Sequence, residues 1–202
     1  WYRTKIDYRS LMEECEALFL FLSHRLDTGA MLCYRGMDIE LDRPWERISV
    51  KTAFDRYASV SLSQALESDR FDQVMVEEIE HHLGAKTPTF LYDYPAALAA
   101  LARLKPGDPS VAERFELYVA GVELANGFSE LNDAHEQRLR FKKALQKRAL
   151  LGKRISPMPE KFLKALKYMP NAAGIALGVD RLVMMLSGAE RIDQVVAFTP
   201  EE

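Results

Sequence analysis

Cysteine is scarce in this 202-residue chain. Cys15 and Cys33 are the only two, and their separation suits neither a disulfide framework nor a metal knuckle, so both are expected as free thiols in a reducing cytoplasm. Excess positive charge is missing too: 27 lysines and arginines face 30 carboxylates, a formal charge of −3. That argues against a global nucleic-acid footprint and leaves any anionic ligand to local groups. There is no signal-peptide pattern, and the run Leu18 to Leu22 is a core segment, too short to span a membrane. Repeats and low-complexity linkers are absent. So is any Ser–His or Cys–His constellation, which excludes the usual routes of nucleophilic side-chain catalysis.

What is present suits one globular unit with a real core: 48% hydrophobic and 28% charged residues. The chain opens on Trp1 with no lead-in, as a piece of a longer chain would. Apolar residues Leu11, Cys15, Leu18, Phe19 and Leu22 recur at helical spacing and predict a helix from about Tyr8 to Arg25. Residues 28–45 could hold one or two short strands. Ser49 is placed to cap a helix over 50–58, and 61–84 suggests two short helices, the second ending at Gly84. A strand over 87–95 stops at Pro95, and 101–113 is expected as a turn-rich loop. Helices follow over 132–151 and 159–169, then strand, helix, turn and strand to Phe198. Without a βαβ rhythm, this predicts an α+β fold with an antiparallel sheet flanked by helices.

The stretch Glu113 to Ala134 resembles a hairpin with too many polar groups. With the turn at Ala120-Gly121, Tyr118 falls opposite Glu123, Leu117 opposite Leu124 and Glu116 opposite Ala125. Alternation puts Phe115, Leu117, Val119, Val122 and Leu124 on one face and Glu116, Tyr118, Glu123 and Ala125 on the other. Two carboxylates on one face could reach a single hard cation, or could simply be solvated. Small residues Ala125, Asn126 and Gly127 would let a ligand approach, and Glu130 adds a third acid.

Near the other end, "GIALGVDRLVMML" from Gly174 to Leu186 predicts a strand, then a helix apolar nearly all round and therefore deeply buried. Arg181 at that helix's start meets the positive end of its dipole. It either forms a structural ion pair or meets a phosphate or a base, with Gly174 and Gly178 keeping the strand bare for a planar ring. The two segments together predict a nucleotide site, with Glu116 and Glu123 holding Mg²⁺ on ATP and Arg181 offsetting phosphate charge.

"RFELYVAGVELANGFSELNDA" and "GIALGVDRLVMMLSGA" resemble the second half of the catalytic domain of class II lysyl-tRNA synthetases, and the likeness covers nearly the whole chain. The resemblance implies the class II synthetase catalytic fold, of which residues 1–202 would be the C-terminal portion. Motif 3 would lie at 174–186, with motifs 1 and 2 upstream of residue 1. It further implies ATP and Mg²⁺, with Glu116 and Glu123 as metal-binding acids and Gly178 and Arg181 on ATP. Asn126 and Glu130 would be amino-acid-pocket residues, Glu130 facing the substrate's side-chain ammonium. "WYR" resembles the end of a Glu-x-Tyr element and makes Tyr2 a pocket residue. "KTPTFLYDYPAALAALA" and "VAERFELYVAGVELANGF" are more similar to the group that joins lysine or (R)-β-lysine to a lysine of elongation factor P. Ala125, where synthetases carry glycine, would reshape the pocket floor. The resemblance implies a homodimeric, cytoplasmic ligase with no membrane contact. Transfer to tRNA-Lys, or an inactive binding module, are the other readings.

Two further features carry less. Adjacent His81 and His82 point apart and suit a solvated helix end better than a metal. The basic run Lys142, Lys143, Lys147, Arg148, Lys153 and Arg154 is a solvated face or a contact for an acidic protein or RNA.

Overall fold

The computed structural model describes residues 1–26, 29–42 and 44–199. Alternating apolar residues build a seven-stranded sheet in the order β1 (Tyr2–Thr4), β9 (Ala172–Leu177), β8 (Val122–Ser129), β7 (Asp108–Val119), β5 (Thr89–Pro95) and β4 (Glu46–Ser49), with the short β6 (Leu104–Lys105) also on β7. All pairs are antiparallel except β4 with β5. The expected α+β class therefore holds, with one parallel pair.

The first face of the sheet is closed by α1 (Tyr8–Arg25), which Asp7 caps by accepting from the Arg9 and Ser10 amides. The small hairpin of β2 (Met31–Tyr34) and β3 (Met37–Glu40), and α7 (Val179–Leu186), complete that layer. Its core joins Leu11, Cys15 and Phe19 to Phe90, Phe115, Leu117 and Val119. On the opposite face α2 (Val50–Tyr57), capped by Ser49, α3 (Leu62–Glu67) and α4 (Phe71–Val74) cover only the β4–β5–β7 end, packing on Leu91, Tyr94 and Tyr118. Over β8, β9 and β1 that face stays partly open.

Several expectations are corrected. Residues 101–113 form a hairpin: Pro106 and Gly107, the latter at φ +85°, turn the chain so that Lys105 pairs with Asp108 and β7 begins there. Beyond α4 the chain continues as a π turn over Met75–Ile79 and a 3₁₀ turn over Glu80–His82. At the C-terminal end a 3₁₀ turn, Ile192–Gln194, stands where a strand is expected, and Phe198 is exposed. The helix α7 is amphipathic, not buried all round: Leu182, Met184 and Met185 face the core while Val179 and Val183 are exposed. In the segment 28–45, Thr28 and Arg43 lie outside the described residues.

Beyond the sheet, α5 (Ala134–Leu150), capped by Asp133, and α6 (Glu160–Leu166) form a helical hairpin. Arg140 ties it down by donating to the Ala99 and Ala102 carbonyls, and Lys147 pairs with Asp69 at 2.8 Å.

Candidate active site

The hairpin turn is as expected: Ala120 and Gly121 take φ of +53° and +71°, the paired left-handed residues of a tight two-residue turn, and Tyr118 lies opposite Glu123. One residue further on, the register differs. Leu117 pairs with Ala125 and Glu116 with Asn126, so Leu124 is the extra residue of a bulge, and its carbonyl accepts from the Gly178 amide at 2.8 Å instead. Two successive apolar residues, Leu124 and Ala125, can thus both be buried. Ala125 consequently belongs to the core face, not to the polar face beside Glu116. Gly127 does too, since a Cβ there would meet the Phe115 ring at 2.6 Å. In exchange the bulge brings Asn126, Phe128 and Glu130 onto the open face with Glu116 and Tyr118.

Glu116 is buried at the centre of a four-donor box. Its Oε2 accepts from Tyr94 Oη (2.5 Å) and Tyr118 Oη (2.8 Å), and its Oε1 from Arg114 Nη2 (2.5 Å) and Asn126 Nδ2 (3.2 Å). The Arg114 guanidinium also lies 4.2 Å from the Tyr94 ring centre and donates to the Leu98 carbonyl. All four acceptor positions of the carboxylate are therefore taken. Burial first, and the nearby Glu116 charge second, push both Tyr94 and Tyr118 up, so they remain protonated donors.

Glu123 is freer. Arg181 Nη1 donates to its carbonyl at 2.6 Å and approaches its carboxylate at 3.6 Å. The arginine at the start of α7 is thus offset by Glu123 and not by Asp180. Burial and the charge of Glu116 raise the Glu123 carboxyl above its ordinary range.

A third acid, Glu80, joins the group. Gly84, at φ +71°, lets the chain lie on β7: a Cβ there would stand 2.5 Å from the Tyr118 carbonyl oxygen. Ala120 and Gly121 donate to the Gly84 and Leu83 carbonyls. This docking puts the Glu80 carboxylate 3.4 Å from Tyr118 Oη, and burial and Glu116 raise it in turn. Nothing in the sequence marks Glu80, because only the tertiary docking brings it to the strands. Arg114 and Tyr94 also escape a sequence reading. Arg114 was within reach of one, since it alternates with Glu116 and Tyr118 along the same strand.

These groups line two hollows that share Glu123 in their walls. One of about 370 Å³ is bounded by Glu80, Tyr94, Arg114, Glu116, Tyr118 and Glu123. The other, about 470 Å³, runs past Glu123, Asn126, Ala176, Gly178 and Arg181. Among the described residues no three His, Cys, Asp or Glu side chains converge as a metal cage. The donor set instead fits a hard cation that brings most of its own ligands: carboxylate groups, two of them raised first by burial and then by the neighbouring Glu116 charge. Gly178 has room for a close approach: the atoms nearest a Cβ there are those of Arg181, at an ordinary contact distance of 3.5–3.6 Å.

Gly174 lies elsewhere, beneath Glu130 and Tyr2, and is not a bare strand for a planar ring. It pairs with Tyr2 on one side and Phe128 on the other. The Glu130 side chain has no hydrogen-bond or ion-pair partner among the described residues, and burial alone raises its carboxyl to about 7. Tyr2 is exposed. The hollow beside Asn126 and Phe128 is closed by the Leu98–Ala102 turn. The open face thus carries a ring of bound and half-bound acids at one end and a lone carboxylate at the other.

His81 and His82 do not point apart as expected: their ring centres lie 4.0 Å from each other, and His82 also stacks on Tyr57 at 4.5 Å. Among the described residues no helix is long and apolar enough to cross a membrane.

Residues 1–202 match the family of tRNA synthetases class II (D, K and N). Among curated proteins the chain is 41% identical over 207 residues to the elongation factor P–(R)-β-lysine ligase of Proteus mirabilis, covering 98% of this chain and 63% of that one. It is 42% identical over 213 residues to the protein of the same name from Photorhabdus laumondii, with the same coverage. The Vibrio cholerae protein of that name is 38% identical over 206 residues, again covering 98% and 63%. The chain thus spans less than two thirds of the length of these relatives.

Proposed function

The chain belongs to the family of class II tRNA synthetases (D, K and N), and from that premise we propose that it activates lysine or (R)-β-lysine with ATP and passes it to a lysine of elongation factor P. One observation carries the substrate: Glu130 is a half-buried carboxylate without a cation beside it among the described residues, and such a group calls for a cationic partner. The side-chain ammonium of a lysine-like amino acid supplies it, with Tyr2 and Asn126 shaping the pocket around it, while Ala125 acts only from the core face of the same strand. The acceptor reading rests on the printed names of the relatives.

ATP lies along the hollow past Gly178, its phosphates between Arg181 and the acids. Glu123 and Glu116 would be the protein contacts of a Mg²⁺ ion, which would neutralise phosphate charge. Glu116 can join only as one of its four donors, Tyr94, Tyr118, Arg114 or Asn126, yields an acceptor position. The amino-acid carboxylate attacks the α-phosphorus and pyrophosphate leaves. The acceptor's amine then attacks the carbonyl of the mixed anhydride, and AMP leaves. No side-chain nucleophile is needed. Residues 1–202 form the C-terminal portion of this catalytic domain, with 174–186 as motif 3, in a homodimeric cytoplasmic enzyme.

The family name favours a second reading, transfer to tRNA-Lys, which shares the first step. In the full-length protein, pyrophosphate exchange should require lysine or β-lysine, fail with norleucine, and fall by at least ~10²-fold in Glu123→Ala. Exchange with norleucine, or undiminished exchange in the variant, would remove the assignment.

A further inference from the structure

The charges of this chain are segregated. Between Arg138 and Lys167 lie eleven of its 27 lysines and arginines but one of its 30 carboxylates, so that segment carries +10 and the other 172 residues carry −13. This segment is the α5–α6 hairpin. Lys142, Lys143, Lys153, Arg154, Lys161 and Lys164 are exposed and form no ion pair among the described residues. Six uncompensated cations on one projecting element repel one another, a cost that an acidic partner relieves.

The hairpin is rooted at the pocket. Its cap, Asp133, follows Glu130 by three residues, and Arg140 and Gln137 hold the 99–102 carbonyls that edge the hollow beside Asn126. From there α5 runs about 20 Å to the Lys147–Asp69 pair. Any macromolecule bringing an amine to the acyl-adenylate comes within reach of it.

Two features favour a protein over RNA. Three of the four arginines, the forks best matched to phosphate, are engaged internally: Arg138 with Glu160, Arg140 with Glu136 and backbone carbonyls, Arg148 with the Arg154 carbonyl. Apolar groups are interleaved with the lysines: Leu150, Leu151, Ile155 and Phe162 are exposed, the Phe162 ring packing at its other side on Phe141.

We propose that the α5–α6 hairpin docks an acidic, partly apolar face of the protein that receives the activated amino acid. This deepens the functional reading above and rests on it for the identity of that protein. The test uses the full-length protein with Lys142, Lys143, Lys153 and Arg154 all changed to Glu, and direct binding to elongation factor P and to tRNA-Lys across a salt series. The proposal expects at least tenfold weaker binding to elongation factor P, a flatter salt dependence, and pyrophosphate exchange equal to the parent's. Unchanged affinity for elongation factor P, no binding by the parent protein, or a loss confined to tRNA would each overturn it. Hairpin-dependent binding by a parent that shows no exchange would uphold the docking surface and refute the catalytic reading.

Discussion

Gly174 lies directly beneath Glu130: a Cβ on the glycine would stand 2.5 Å from Glu130 Oε1 and 2.6 Å from the Tyr2 ring. The lone carboxylate and the aromatic ring can share that strand only because the side chain is absent. Gly174→Ala must therefore push both aside. Its KM for lysine in pyrophosphate exchange should rise by at least tenfold while ATP affinity, set beyond the far end of β9 at Gly178 and Arg181, stays unchanged. An unaltered lysine KM would refute the placement of the amine pocket.

The titration of Glu130 gives a second prediction. Burial raises this carboxyl from its ordinary 4.5 to about 7, and only its ionised form attracts an ammonium. Lysine binding to the full-length protein should therefore weaken about tenfold from pH 8 to pH 6, and isothermal titration would show a proton released on binding near neutrality. For stability the sign is opposite to that of a paired acid. Because the folded value lies above the unfolded one, ionisation costs stability, a cost absent below about pH 4.5 and complete above about pH 7. Glu130→Gln should then raise the melting temperature at pH 8, leave it unchanged at pH 4, and abolish lysine activation. A melting temperature lowered at pH 8 would mean that Glu130 has a structural partner.

Gly84 gives a prediction about the frame of the site. Both Gly84 and Gly36 have left-handed backbones, at φ of +71° and +74°, but a Cβ on Gly84 would stand 2.5 Å from the Tyr118 carbonyl oxygen whereas Gly36 has nothing within 4 Å. Gly36→Ala should cost about 1 kcal/mol from conformation alone, and Gly84→Ala at least about 2 kcal/mol more from the clash with β7. At this chain length that difference is roughly 4–8 °C in melting temperature. Equal losses would show that the Glu80 segment is not held by this contact.

How far the sequence led is best seen in the hairpin itself. The turn at Ala120-Gly121 and the pairing of Tyr118 with Glu123 were legible, because left-handed turns have few tolerant residues and the apolar alternation on either side is clear. The bulge at Leu124 was not, since Leu124 and Ala125 are both apolar and strict alternation buries only one of them. That single residue decides which side chains after Glu123 face the ligand: it sends Ala125 and Gly127 to the core and brings Asn126 and Glu130 outward. The helix α7 misled for a related reason. Val179 and Val183 are apolar yet exposed, and composition alone does not say which side of a short helix meets the core. Glu80 was out of reach, because the interaction that matters lies 38 residues away and depends on a glycine's bare backbone.

The account turns on where the activated amino acid goes. The measurement that tests this most directly supplies the full-length protein with labelled lysine or (R)-β-lysine, ATP, elongation factor P and tRNA-Lys together, and asks which macromolecule carries the label. The account predicts label on a lysine of elongation factor P, with (R)-β-lysine or lysine as donor and AMP released. Label on tRNA alone, or on neither with ATP unconsumed, would contradict it.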